Sequence, residues 1–264
     1  MRTTLRAARS IDESQCVEEK DEKATQGRIG GHDAVALTAT ATASGPKWTE
    51  MGDAGSLPAG SQTTMGIGTI GFINGGLGMP ALFGGIDFED MFLINIVDPT
   101  NFRATTDPND PELAMAFANF DTQLWLFRPT ADPPDAFALG FLGNDDHPDV
   151  PGSHHSLLIP VPTDMSPPLE EAGLYYIAIS RFNNDPDSAG GEIFDQVSPT
   201  EISGPDGPGG MMMLPISGWT GDQGKFDGAY RISLRGVEFA EIPAPGALSL
   251  LVLASLSMRR RRRR

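Results

Sequence analysis

The chain has 264 residues, enough for one large domain with appendages, and a formal charge of −16 although it closes on six arginines. The remaining 258 residues therefore carry −22, a balance that excludes nucleic acid as a partner of the body and favours cations. Gly (31) and Pro (22) make up about a fifth of the residues, short of a low-complexity composition and suited to short elements joined by many turns.

Residues 1–33 are polar and charged and lack the short basic stretch and apolar segment of a secretory signal. Ala34–Ala43 (AVALTATATA) resembles the end of such an apolar segment, with Ala41-Thr42-Ala43 as an A-x-A-type cleavage site. Residues 1–44 thus read either as a disordered leader or as a degenerate signal region whose true start lies elsewhere; the export implied by the C-terminus favours the second. The single cysteine, Cys16, excludes an intrachain disulfide, and no apolar run precedes it as lipidation would need.

From residue 45 to 241 the pattern is that of strands. Candidates are Thr69–Asn74, Phe88–Val97, Asn101–Thr105, Thr122–Phe127, Ala136–Leu142, Ser156–Val161, Gly173–Arg181 and Ala229–Phe239, punctuated by turn clusters such as Asp132-Pro133-Pro134-Asp135. Tyr230, Ile232 and Leu234 alternate with Arg231, Ser233 and Arg235, which predicts a half-buried antiparallel strand. Met91–Val97 and Leu124–Phe127 are apolar on both faces, which predicts central strands with Trp125 buried. Asp110–Phe120 is the one stretch with a helical turn in its pattern. The expected fold is all-β, an antiparallel β-sandwich of jelly-roll type, followed by a short C-terminal hydrophobic helix.

Motifs for catalysis are absent. There is no G-x-S-x-G and no H-E-x-x-H. Gly66-Ile-Gly-Thr-Ile-Gly71 matches G-x-G-x-x-G, but no helix pattern follows it, so the pyrophosphate reading fails. His147 sits among acids and reads as an exposed loop histidine; adjacent His154 and His155 point to opposite faces if extended. Three acidic loops remain: Asp107–Glu112, Asn144–Asp149 and Asn183–Asp187. Asx-turns at strand ends are the plainer account of them. If one binds calcium, which takes six to eight oxygens from carboxylates and carbonyls, the candidate ligands are Asn144, Asp145 and Asp146, with Asp121 from the neighbouring strand.

Several pieces of the body share an order with a known family. These are Trp48-Thr-Glu-Met-Gly-Asp-Ala-Gly, Asp90-Met-Phe-Leu-Ile-Asn-Ile-Val-Asp-Pro, Asp121-Thr-Gln-Leu-Trp-Leu-Phe, Asn144-Asp-Asp and Gly173-Leu-Tyr-Tyr-Ile-Ala-Ile-Ser. Together they resemble the pre-peptidase C-terminal type of β-sandwich over roughly residues 48–239. They depart from it at 196–226, a Gly/Pro/Met-rich insertion. That resemblance implies an accessory, non-catalytic module.

The chain ends on Glu241-Ile-Pro-Ala-Pro-Gly, an apolar run from Ala244 to Met258, and Arg259–Arg264. Fifteen apolar or small residues are short of the roughly 20 of a permanent membrane span. The arginines favour the cytoplasmic side, which places the acidic body outside. This order resembles the PEP-CTERM class of bacterial sorting signals, with Pro243, Ala244, Pro245 and Gly246 as the motif and Ala244 in place of the usual Glu. The resemblance implies processing by an exosortase-type protease and passage through the membrane by the C-terminal tail. The expected protein is therefore non-catalytic and displayed at the envelope or in extracellular matrix. The alternatives are a carbohydrate-binding module that recognises extracellular polysaccharide, and a secreted hydrolase with a scattered site.

Overall fold

The computed structural model describes residues 46–78, 88–132, 134–221 and 228–241. The leader, the sorting motif and the C-terminal hydrophobic helix expected from the sequence lie outside the described residues. No helix among the described residues is long and apolar enough to cross a membrane.

The body is an all-β sandwich. One sheet runs β1 (Lys47–Thr49), β3 (Phe72–Leu77), β14 (Gly228–Arg235), β5 (Arg103–Thr105), β9 (Leu157–Leu158), with β6 (Phe117–Ala118) also on β14. The second runs β15 (Val237–Phe239), β4 (Glu89–Ile96), β10 (Gly173–Arg181), β7 (Thr122–Pro129), β8 (Ala138–Asn144), with β2 (Gln62–Thr63) also on β4. A small third sheet joins β12 (Gly191–Glu192), β11 (Pro186–Ser188) and β13 (Ile216–Trp219). Pairing is antiparallel except for β1 with β3 and β2 with β4.

Alternation along the second sheet decides the packing. Phe92, Ile94, Ile96, Leu124, Leu126, Ile177 and Ile179 face the first sheet and meet Ile73, Leu77, Ile232 and Leu234 in the main core. The intervening Met91, Leu93, Trp125, Phe127, Tyr176 and Ala178 form a second core on the opposite face, under Ile193, Phe194 and Ile216. Phe194 stacks at 5.2 Å from Trp125 and 6.3 Å from Phe127. The central strands are therefore apolar on both faces because both faces are covered. Their cover comes from residues 186–219, where β11–β13 and the short helix α1 (Pro208–Met211) lie. Of the stretch read in sequence as an insertion, β13 joins that cover through Ile216 and Trp219, whereas Ile202 enters the main core.

Local expectations change in several places: Thr69–Asn74 moves to Phe72–Leu77, and Asn101–Thr105 shortens to Arg103–Thr105 behind a 3-10 turn. Ala229–Phe239 is not one strand. It breaks at Gly236 (φ 75°) into β14 and β15, which belong to different sheets. The Gly236 carbonyl accepts the N–H groups of Val97 and Asp98, which fixes the corner. Ser156–Val161 shortens to Leu157–Leu158, since Pro160 and Pro162 have no N–H to give a ladder. Asp110–Phe120 forms no helix. Asp110 Oδ1 accepts the N–H groups of Glu112 and Leu113 as a helix cap would, but Met115 turns left-handed (φ 74°) and Phe117–Ala118 leave as β6.

Candidate metal centre

The strand register assembles the acidic loops at one end of the second sheet. β7 and β8 are antiparallel neighbours with Leu124 opposite Asn144, so Asp121, just before β7, lies beside Asp145 and Asp146, just after β8. β10 pairs with β7 on its other side, Arg181 opposite Thr122, which brings the 183–185 turn to the same end. The 153–156 segment joins them through the Thr122 N–H donating to the His154 carbonyl at 3.1 Å.

The side chains converge. His154 Nδ1 stands 3.6 Å from Asp121 Oδ2 and 3.9 Å from Asp146 Oδ1, and one atom from each of these three residues falls within 4.8 Å of the others. Asp145 is 6% exposed, and its Oδ1 has no hydrogen-bond partner; Asp121 Oδ1 also has none. Burial, then the charges of Asp146, Asp121 and Asp185, push the Asp145 carboxyl up to about 7. Burial also raises Asp121, Asp146 and Asp185, against the nearby imidazole of His154 for the first two and a hydrogen bond from Gln123 for the last. Four carboxyl groups above their ordinary range at one loop end make a locus that is short of positive charge.

Asn144, also a candidate ligand, is turned inward. Its Oδ1 accepts the Leu157 N–H at 2.7 Å, and its Nδ2 donates to the carbonyls of Asp146 and Glu201 at 2.9 Å each. It fixes the Asp145–Asp146 turn against β9 and the 199–201 turn, leaving the acidic cluster to the three aspartates. On the far side of Asp145 lies a cleft of about 300 Å³ walled by Gln123, Trp125, Asp185, Phe194 and Gln196.

His147 corrects the sequence reading. It is 1% exposed, not a loop histidine in solvent. Its Nδ1 accepts the Asp149 N–H at 3.1 Å, so Nε2 carries the proton and donates to Asp110 Oδ2 at 3.0 Å. Arg103 donates to the same oxygen from Nε (2.9 Å) and Nη2 (2.7 Å), and reaches Glu112 through Nη1 (3.1 Å). Burial alone would raise Asp110, but the donors His147, Arg103, Leu113 and Glu112 hold it well below the usual carboxylate range. Nothing in the sequence announced this network, because its partners are joined only by the fold. His154 and His155 lie before β9 rather than on a strand, with His154 toward the acids and His155 toward the Ala118 carbonyl (3.2 Å).

The remaining motifs resolve as packing. A Cβ on Gly66 would strike the Phe239 ring, so the first glycine of the G-x-G-x-x-G match makes room for β15. The buried hydroxyls of Thr106, Thr122 and Ser156 bond to one another at 2.7 and 2.9 Å, with Ser156 donating to the Thr122 carbonyl at 2.6 Å. Ser153 donates to Asp107 and accepts from the His155 N–H, which closes the turn. No protein-family model, curated protein or solved structure matches the chain.

Proposed function

We propose that the chain is a non-catalytic exported protein, displayed at the cell envelope or in extracellular matrix through residues 242–264. The carrying observation is where the sorting motif begins. Glu241 is still tied into the sandwich, its N–H donating to the Thr64 carbonyl and its carbonyl accepting from Gly66, and the proline motif follows at residue 243. Both cores draw on residues between Trp48 and Ala240. A folded body followed at once by a proline motif, a short apolar run and an arginine block is the order of a removable address rather than of a structural element.

The buried His147–Asp110 pair supports a structural role. Both imidazole nitrogens are engaged, one by Asp110 and one by the Asp149 N–H, and Arg103 donates twice to the same carboxylate oxygen. The carbohydrate-module alternative needs an open aromatic platform. Trp125 is fully buried, Trp48 is 9% exposed, and Trp219 is half-buried with Nε1 donating to the Ser56 carbonyl at 2.9 Å.

Fractionation of native cells with mass spectrometry of the mature termini tests the reading. The expected species is found outside the cytoplasm and lacks Arg259–Arg264. Deleting 242–264 is expected to abolish sorting while shifting the melting temperature of the body by no more than ~2 °C, because no core residue of the described sandwich is removed. A soluble cytoplasmic protein with its arginines intact overturns it.

A further inference from the structure

We infer that Asp121, Asp145 and Asp146 bind one oxygen-preferring divalent cation, calcium first, at the loop end of the second sheet. The argument begins with Asp145. A carboxylate more than nine-tenths buried ordinarily has a hydrogen-bond donor or a cation against it. Asp145 faces Asp146, Asp121 and Asp185 instead, and its Oδ1 is without a partner. Asp121 contributes a second buried oxygen without a partner. Like charges gathered around such oxygens are stable when a cation sits among them.

The geometry fits the ion. Two ligand atoms on one calcium lie at most about 5 Å apart, twice a bond of roughly 2.3–2.6 Å. Atoms of Asp121, Asp146 and the rim residue His154 all fall within 4.8 Å of one another; Asp145 is outside that trio, and the β7–β8 register sets it one residue before Asp146. The donors come from two segments, the start of β7 and the end of β8, held by backbone ladders and by Asn144, so the cluster is positioned before any ion arrives. Carboxylate oxygens favour calcium, magnesium and manganese, and magnesium demands a tighter octahedron than two loops with a solvent-open side provide. The His154 side chain is 72% exposed and stands at the rim, where it can swing aside as the ion enters. Filling the site would cross-link the start of β7 to the end of β8.

The test uses the full-length chain freed of metal by EDTA, with calcium, magnesium, manganese or zinc chloride added at matched ionic strength. Calorimetric titration is expected to give one calcium per chain, and saturating calcium to raise the melting temperature by about 5 °C or more. Asp145→Asn keeps the shape of the side chain and is expected to abolish the response. Asp121→Asn and Asp146→Asn should each weaken binding at least ~10-fold. Exposed Asp195→Asn, which makes the same charge change nearby, should leave it unaltered. His154→Gln should leave calcium binding within about threefold. Absence of stoichiometric binding, or full binding by Asp145→Asn, overturns the site, and a response matched by magnesium overturns the calcium assignment. Tighter zinc than calcium binding, lost in His154→Gln, overturns the calcium assignment. Tail deletion does not enter any of these readouts, so failure here leaves the display reading untouched, and the reverse holds.

Discussion

Asp110→Ala is expected to destabilise the body by about 3–5 kcal/mol, the cost of breaking a buried ion pair from one side. Asp110 accepts three side-chain hydrogen bonds on Oδ2 and two backbone N–H groups on Oδ1. Removing it leaves Arg103, 3% exposed, with the half-exposed Glu112 as its one ion partner among the described residues. For a domain near 200 residues that loss lowers the melting temperature by roughly 6–20 °C, measured by calorimetry, with urea unfolding giving the free energy. Asp110→Asn keeps the shape and part of the bonding, and should cost less. The exposed Arg235–Glu112 pair (2.8 Å) is the internal control: Arg235→Gln should cost about 1 kcal/mol or less.

The same carboxylate sets an acid response. Its folded pKa lies below its unfolded one, so the native state binds fewer protons and the stabilisation is complete above the ordinary carboxylate value near 4. It is lost as pH falls below that value toward the depressed folded one. Urea unfolding from pH 6 down to pH 2 should therefore show a steep loss in the wild type and a shallower one in Asp110→Asn. Equal slopes would show that Asp110 does not carry the effect.

Gly236→Ala is the second large effect. Its φ of 75° costs any L side chain of order 1–3 kcal/mol, and a Cβ there would lie 2.7 Å from the Asp98 carbonyl oxygen. Backbone cannot step aside as a flexible side chain does. The Asp98 segment is moreover held by the two N–H groups that the Gly236 carbonyl accepts. The chain changes sheets at this residue, so the strain falls on the joint between β14 and β15. Gly68→Ala separates the two contributions. Gly68 has φ 78° with nothing within 4 Å of its would-be Cβ, so it reports the backbone cost alone. Gly236→Ala should exceed it by at least ~1 kcal/mol. Equal losses by urea unfolding would remove the steric part of the argument.

The all-β class, the central strands and the half-buried Tyr230–Leu234 face were legible in the sequence because side-chain alternation along an extended chain is a local property. The candidate aspartates were legible in part for the same reason: they flank strands whose apolar runs are plain, and neighbouring strands bring their ends together. Local pattern could not say what covers a face. Met91, Trp125 and Phe127 are apolar, and only the fold shows that residues 186–219 lie over them. The sheet change at Gly236 did leave a trace, since the apolar phase slips there from Tyr230, Ile232 and Leu234 to Val237 and Phe239, but only the fold shows that the left-handed glycine sends the two halves into different sheets. The burial of His147 was invisible, since its reason is Asp110, 37 residues away along the chain and 3.0 Å away in space. His154 entered the acidic cluster the same way, through a backbone bond to Thr122 across 32 residues. The sequence by itself determined which residues could be strands and which could be charged ends. Tertiary structure alone decided which buried charges meet, because a buried charge is tolerable only beside a partner, and long-range pairing chooses the partner.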